Sequence, residues 1–170
     1  MKLNETKTGG VDHDDDYVYY KLTLPEGTPS GSKNLVFEVR EDKENIKEGE
    51  EIFSDPDIHI STKFEKPSRV NSEWYSERYG DDIISIDKEN VKPGVTFYVG
   101  MYCQFKCKYK LNAYLSDSIN LEIGYVYSVL LRKGTTLNYY FKIPDRDYDE
   151  YLIIASSPYL NEFRFFAAKE

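Results

Sequence analysis

Strict period-two alternation, an aromatic-rich composition and closely spaced turn signals predict an all-β sandwich. The alternation is cleanest between Val91 and Leu115. After the Pro93-Gly94 turn, Val95, Phe97, Val99 and Met101 alternate with Thr96, Tyr98, Gly100 and Tyr102. Beyond Gln104-Phe105-Lys106, Tyr109, Leu111, Ala113 and Leu115 alternate with Lys108, Lys110, Asn112 and Tyr114. Such a pattern buries one face and wets the other, as strands of an antiparallel sheet do. Two of them joined by a short loop predict a hairpin. Composition agrees: 16 Tyr and 9 Phe stand against 2 Met, and aromatic rings fit pleated, half-buried surfaces.

The remaining elements follow in chain order. Residues 1–11 are polar and glycine-bearing and predict a flexible lead-in. The acidic run Asp12–Asp16 precedes a first strand in which Val18, Tyr20, Leu22 and Leu24 share a face. Pro25 to Ser32 has turn chemistry. NLVFEVR then puts Leu35, Phe37 and Val39 inward, and the charge-rich Glu41–Glu51 reads as an exposed loop. In DPDIHIS the inward residues are Ile58 and Ile60. The long polar stretch Thr62–Gly80 holds the single Trp, and Ile84 and Ile86 mark one more strand before the hairpin. No amphipathic helix pattern stands out. From Ser118 the pattern begins again: Tyr140 to Pro144 resembles Tyr20 to Pro25, which predicts a second β segment over 117–170, a partial repeat or an extension of the sandwich at 12–116.

Cys103 and Cys107 are the two cysteines. In a continuous strand their Cα atoms would lie about 13 Å apart at roughly 3.3 Å per residue. A disulfide needs Cα atoms within about 7 Å, so bonding requires the chain to reverse at Gln104–Lys106. The alternation independently puts a loop there. Free thiols, or half of a zinc site, are the alternatives; with only His13 and His59 to complete it, zinc is the weaker.

A chain of 170 residues with 40% hydrophobic residues builds one core, or one domain and part of another. The net charge of −8 argues against a nucleic-acid backbone or an anionic membrane surface as partner. No run approaches the roughly 18 apolar residues that span a bilayer. The N-terminus MKLNETKTGG has no apolar segment of a signal peptide, so a secreted home requires an upstream signal absent from this chain.

Three pieces in order, DHDDDYVYYKL, DPDIHIS, and PGVTFYVGMY with KYKLNAYL, resemble the bacterial pre-peptidase C-terminal domain, a jelly-roll-like β-sandwich appended to secreted enzymes and surface proteins. The resemblance spans roughly 12–116, and less closely 118–157. The Cys103/Cys107 pair and the Thr62–Gly80 insertion depart from its pattern. The resemblance implies a non-catalytic role in secretion, folding, localisation or attachment. It also implies calcium binding by acidic residues near the first strand, which Asp12, Asp14, Asp15 and Asp16, with Asp55 and Asp57, match here.

Calcium takes six to eight oxygens, and crowded carboxylates repel unless a cation or water relieves them. A solvated acidic surface is the competing reading, and Asp81 with Asp82 is a second, lesser pair. His59 falls on the outward parity between Ile58 and Ile60 and reads as an exposed strand histidine, with no local nucleophile motif beside it. Tyr19, Tyr98, Tyr102 and Tyr114 fall on non-core faces, and Trp74 and Tyr75 on the insertion can join them in an aromatic platform for a glycan or a peptide. The alternative is that this face packs on 118–170 or on a neighbouring domain. The expectation is therefore a non-enzymatic extracellular or cell-surface module of a larger multidomain protein, with a protein or glycan partner. A calcium-stabilised carbohydrate-binding jelly roll is the alternative, and a hydrolase accessory or enzyme domain the remote one.

Overall fold

The computed structural model describes residues 1–13, 16–42, 55–121 and 137–141, together with the backbone of 127–129. Eleven strands and one 3₁₀ turn (Lys88–Asn90) are found among these residues. The strands are β1 (Lys7–Val11), β2 (Asp16–Thr23), β3 (Asn34–Glu41), β4 (Asp57–Ser61), β5 (Trp74–Ser76) and β6 (Asp81–Ile86). They continue with β7 (Thr96–Cys103), β8 (Cys107–Ser116), β9 (Ser118–Asn120), β10 (Tyr127–Val129) and β11 (Asn138–Tyr140). No helix among the described residues is long and apolar enough to cross a membrane.

Two sheets face each other as a sandwich. The first has the order β1-β8-β3-β6-β10, antiparallel except that β10 runs parallel to β6. The second, β2-β7-β4-β5, is antiparallel throughout. Between them lie Leu35, Phe37, Val39, Ile84, Ile86, Tyr109 and Leu111 from the first sheet, and Leu22, Leu24, Ile58, Ile60, Phe97, Val99 and Met101 from the second. These are the inward residues that the alternation predicts. Each fully buried aliphatic or aromatic side chain here contributes roughly 1.5–3 kcal/mol by leaving water.

The expected hairpin is a correction. β7 and β8 are not paired: β7 lies in the second sheet and β8 in the first, so Gln104–Lys106 arches across the sandwich. The reversal itself is present, and Cys103 and Cys107, both buried, are bonded across it with Cα atoms 6.2 Å apart. Alternation cannot separate the two cases, because a hairpin and an arch bury the same parity. The tip chemistry can: Gln-Phe-Lys lacks the Asn-Gly or Gly residues that tight hairpin turns require. The end of β1 and the start of β2 flank the clip, since Val11 pairs with Cys107 and Asp16 with Cys103.

Two further expectations change. Residues 7–11, read as lead-in, form β1 and pair with β8 over five positions, with Val11 in the core. Glycine hid this strand: a Cβ at Gly9 would collide with the Tyr20 hydroxyl and the Tyr109 ring, which hydrogen-bond each other at 3.0 Å. The loop expected at 41–51 begins with Glu41 still in β3 and Asp42 buried; residues 43–51 lie outside the described residues. Of the segment 117–170, Ile119, Leu121 and Leu137 close a small second core with Val36 and Ile83 on the outer face of the first sheet. The stretch 142–157, on which the repeat reading depends, lies outside the described residues.

Replacing both cysteines by serine is expected to lower stability by about 2 kcal/mol in urea unfolding, and reduction of the wild type to do the same. A reduced wild type as stable as the oxidised one would show that the arch holds without its clip.

Candidate functional site

The outer face of the second sheet gathers most of the side chains capable of recognition. Strand pairing arranges them in three rows: Tyr17–Tyr102–Asp57, then Tyr19–Gly100–His59–Tyr75, then Lys21–Tyr98–Ser61. The rings contact one another along and across strands. Tyr17 stacks on Tyr19 with centroids 5.7 Å apart and lies 5.0 Å from Tyr102. His59 lies 5.8 Å from Tyr17 and stacks on Tyr75 at 6.4 Å.

Gly100 leaves a notch in the middle row, and the insertion fills it. Residues 62–73 fold back as a strap over the face, and the Pro67 carbonyl oxygen lies where a Cβ on residue 100 would stand. On either side of this contact the strap lays cations on tyrosines: Lys66 over Tyr19 at 5.9 Å and Arg69 over Tyr102 at 5.3 Å. The Arg69 Nε donates to Glu77 Oε1 at 2.8 Å, and its other end lies 3.6 Å from Asp57 Oδ2. The backbone N–H of Arg69 donates to the Tyr17 hydroxyl at 3.3 Å. A turn closed by Asn71 Oδ1, which accepts from the backbone N–H and hydroxyl of Ser68, shapes the tip. At the root, Glu73 accepts from Ser61 Oγ, Thr62 N, Thr62 Oγ1 and Lys63 Nζ. Burial alone would raise the Glu73 pKa, but those hydrogen bonds outweigh it and hold it down to about 2.

His59 is not the exposed histidine that its parity predicts, for the Tyr17 and Tyr75 rings flank it. It is 0% exposed, and neither ring nitrogen has a hydrogen-bond partner. The Glu77 carboxylate lies 3.6 Å from Nε2. Burial pushes the His59 pKa down to about 4 against the opposing pull of Glu77, so the ring is neutral at pH 7. Two carboxyls near the start of β4 are perturbed the other way. Asp57 is pushed up to about 7 by burial, then by the charges of Asp55 and Glu77. Asp82 is pushed up to about 7 by burial and by Asp57 and Asp55, although the Ser76 hydroxyl donates to it.

The sequence-predicted residues fall in several places. Tyr19, Tyr75, Tyr98 and Tyr102 share the outer face, with Tyr75 51% exposed at one edge and Tyr102 beneath Arg69. Trp74 has the parity of Ile60 and packs on the core side, its ring 6.2 Å from Phe97. There it walls an open groove of about 770 Å³ with Asn90, Lys92 and Thr96. Tyr114 is on the opposite sheet, against the second core, because β8 does not join the sheet of β7. A single platform of all six is therefore corrected to one face of four.

Among the acidic candidates, Asp12 and Asp16 are exposed and Asp14 and Asp15 lie outside the described residues. β2 and β4 start at the same end of the sheet, as expected, but Asp16 pairs with the core-facing Cys103 while Asp57 faces outward beside Tyr102. Asp55 Oδ1 accepts from Gly80 N at 3.0 Å. Among the described residues no three His, Cys, Asp or Glu side chains are arranged to hold a metal ion. Sequence reasoning missed Tyr17, Pro67, Arg69 and Glu77. The available signal was Gly100, a glycine at an outward position of an aromatic strand, which marks close approach of another backbone.

The perturbed carboxyls make a pH prediction. Asp82 binds its proton more tightly folded (about 7) than at the ordinary value of 3.8, so its contribution to stability falls as pH rises through that window. Asp82→Asn is expected to exceed the wild type in stability by about 2 kcal/mol at pH 8, and by much less at pH 5. Equal gaps at the two pH values in urea titrations would exclude Asp82 as the titrating group.

No family model matches the chain, and no curated protein matches it. Among solved structures, the chain is similar to the pre-peptidase C-terminal domain of a collagenase from Bacillus anthracis, at 17% identity and a TM-score of 0.41, over 66% of this chain and 90% of that one. That is the family which its sequence resembles.

Proposed function

We propose that this chain is a non-catalytic β-sandwich module of an extracellular or cell-surface protein, which binds a protein partner or supports neighbouring domains. The observation behind this reading is the tyrosine face of the second sheet. Its rings are fixed by stacking on a rigid scaffold, and Tyr19 and Tyr75 stand exposed at its margins. Pre-ordered aromatic anchors give contact area at little entropic cost, which favours them at binding surfaces. The titratable groups beneath them, His59 above all, are packed among rings, a setting that suits structure better than proton transfer. The Cys103–Cys107 bond supports an oxidising compartment. The sequence resemblance implies the same class of role.

The test is binding of the purified chain to arrays of extracellular proteins and of glycans, with Tyr19→Ala/Tyr75→Ala in parallel. A protein ligand bound about tenfold more weakly by the double variant is expected. Ligands held equally by both would overturn the assignment of the face.

A second reading is a calcium-stabilised carbohydrate-binding module. Two observations favour it: the Trp74 groove, an indole wall among polar side chains, and the mutual repulsion of Asp55, Asp57 and Asp82. Asp82 Oδ2 is buried without a hydrogen-bond partner, and a cation held there with carbonyl and water oxygens, not by a triad of carboxylates, would relieve that charge. Calcium is then expected to raise the melting temperature of the wild type and to leave Asp57→Asn/Asp82→Asn unchanged. No response of the wild type to calcium or EDTA would sink this second reading.

A further inference from the structure

We propose that Tyr102, Asp57 and Glu77 form a guanidinium-recognition site, which the chain fills with its own Arg69 and which an arginine-bearing, proline-containing segment of a protein partner can take over. This deepens the partner-binding role proposed above and rests on it.

The receiving groups and the arriving group are built differently. Tyr102 and Asp57 are on neighbouring strands of the sheet, and Glu77 follows directly on β5. The carboxylate side chains are sunk in the surface, 12% exposed for Asp57 and 25% for Glu77. Arg69 rides on top with 57% of its side chain exposed, at the tip of a loop. The ring offers its face to the flat cation at 5.3 Å while the two carboxylates meet its edges. A planar cation with donors on several sides fits that cradle; a compact ammonium does not.

The charge around the cradle exceeds what Arg69 neutralises. Asp57 feels the charges of Asp55 and Glu77, and Asp82 feels those of Asp57 and Asp55, with Arg78 as a second cation nearby. The face therefore still favours added positive charge, and the chain as a whole stands at −8.

The strap also shows what surrounds the arginine. Pro67 presents its carbonyl to the Gly100 notch two residues earlier, and Lys66 covers Tyr19. The segment Lys66-Pro67-Ser68-Arg69 thus lies on the face as a bound peptide would. Its release leaves the root of the strap in place, because Glu73 holds Ser61, Thr62 and Lys63 independently of Arg69. A tethered ligand acts at an effective concentration on the order of millimolar, so a partner competes against that and not against a buried core.

The test uses Arg69→Ala, with Arg69→Gln as the second variant should the first lose its fold by circular dichroism. Agmatine, a small guanidinium compound, is titrated against each by NMR, with cadaverine, an alkyl diamine, as control. Agmatine is expected to bind the variant at millimolar concentration, about tenfold more tightly than cadaverine and than it binds the wild type. Adding Tyr102→Ala or Asp57→Asn is expected to abolish the preference. The capped peptide Lys-Pro-Ser-Arg-Val is expected to bind the variant more tightly than agmatine does. No preference of the variant for agmatine over cadaverine overturns the guanidinium site, whatever the arrays find. Agmatine binding without tighter peptide binding overturns takeover by a partner. Array binding that fails while both titrations succeed counts against the partner-binding role alone.

Discussion

Phe37 and Phe97 meet across the interior with ring centroids 6.3 Å apart, one from each sheet. Around that contact every strand of length must keep its apolar parity inward, and each residue of the other parity is thereby sent outward. The outer rows of the second sheet are a by-product of this rule. Tyr17, Tyr19, Tyr98, Tyr102 and His59 face outward because Val18, Tyr20, Val99, Met101, Ile58 and Ile60 face in. A one-residue slip of β4 would send His59 into the core and Ile58 to the surface. Partners on both sides guard against that slip, since β4 pairs with β7 over Asp57–Ser61 and with β5 over Ile58–Ile60.

The same rule leaves a difficulty, since an outward face rich in rings is itself apolar surface. The two sheets resolve it differently. On the first, Ile119, Leu121 and Leu137 cover Val36 and Ile83 in a small second core, with Tyr114 at its side. On the second, a polar strap covers the rings through a carbonyl, two cations and a backbone N–H, contacts that water can also satisfy. The first cover is hydrophobic and so part of the fold. The second is held by charge and hydrogen bonds at the surface, worth little individually and open to exchange.

The strands and their inward residues were legible in the sequence, because burial on one face imposes a period that any reader of β2, β3, β7 and β8 can count. The reversal at Gln104–Lys106 was legible from the reach of a disulfide. Sheet membership was not, for the parity of Phe97 and Tyr109 is the same whether β7 and β8 pair or face each other. β1 escaped because Gly9 and Gly10 remove the side chains by which alternation is read. The candidate site was half visible. Tyr19, Tyr75, Tyr98 and Tyr102 followed from parity, whereas the burial of His59 depends on how the rings of Tyr17 and Tyr75 close around it, which no periodicity records.

Gly100 has a consequence for how this molecule can change. The strand residue and the strap form a lock whose halves are far apart in the chain: a side chain at 100 evicts Pro67, and a shortened strap uncovers a notch beside Tyr19. Exchange of either half alone leaves a collision or a hole. Loop and strand must therefore be inherited, grafted or redesigned together, as one unit of variation.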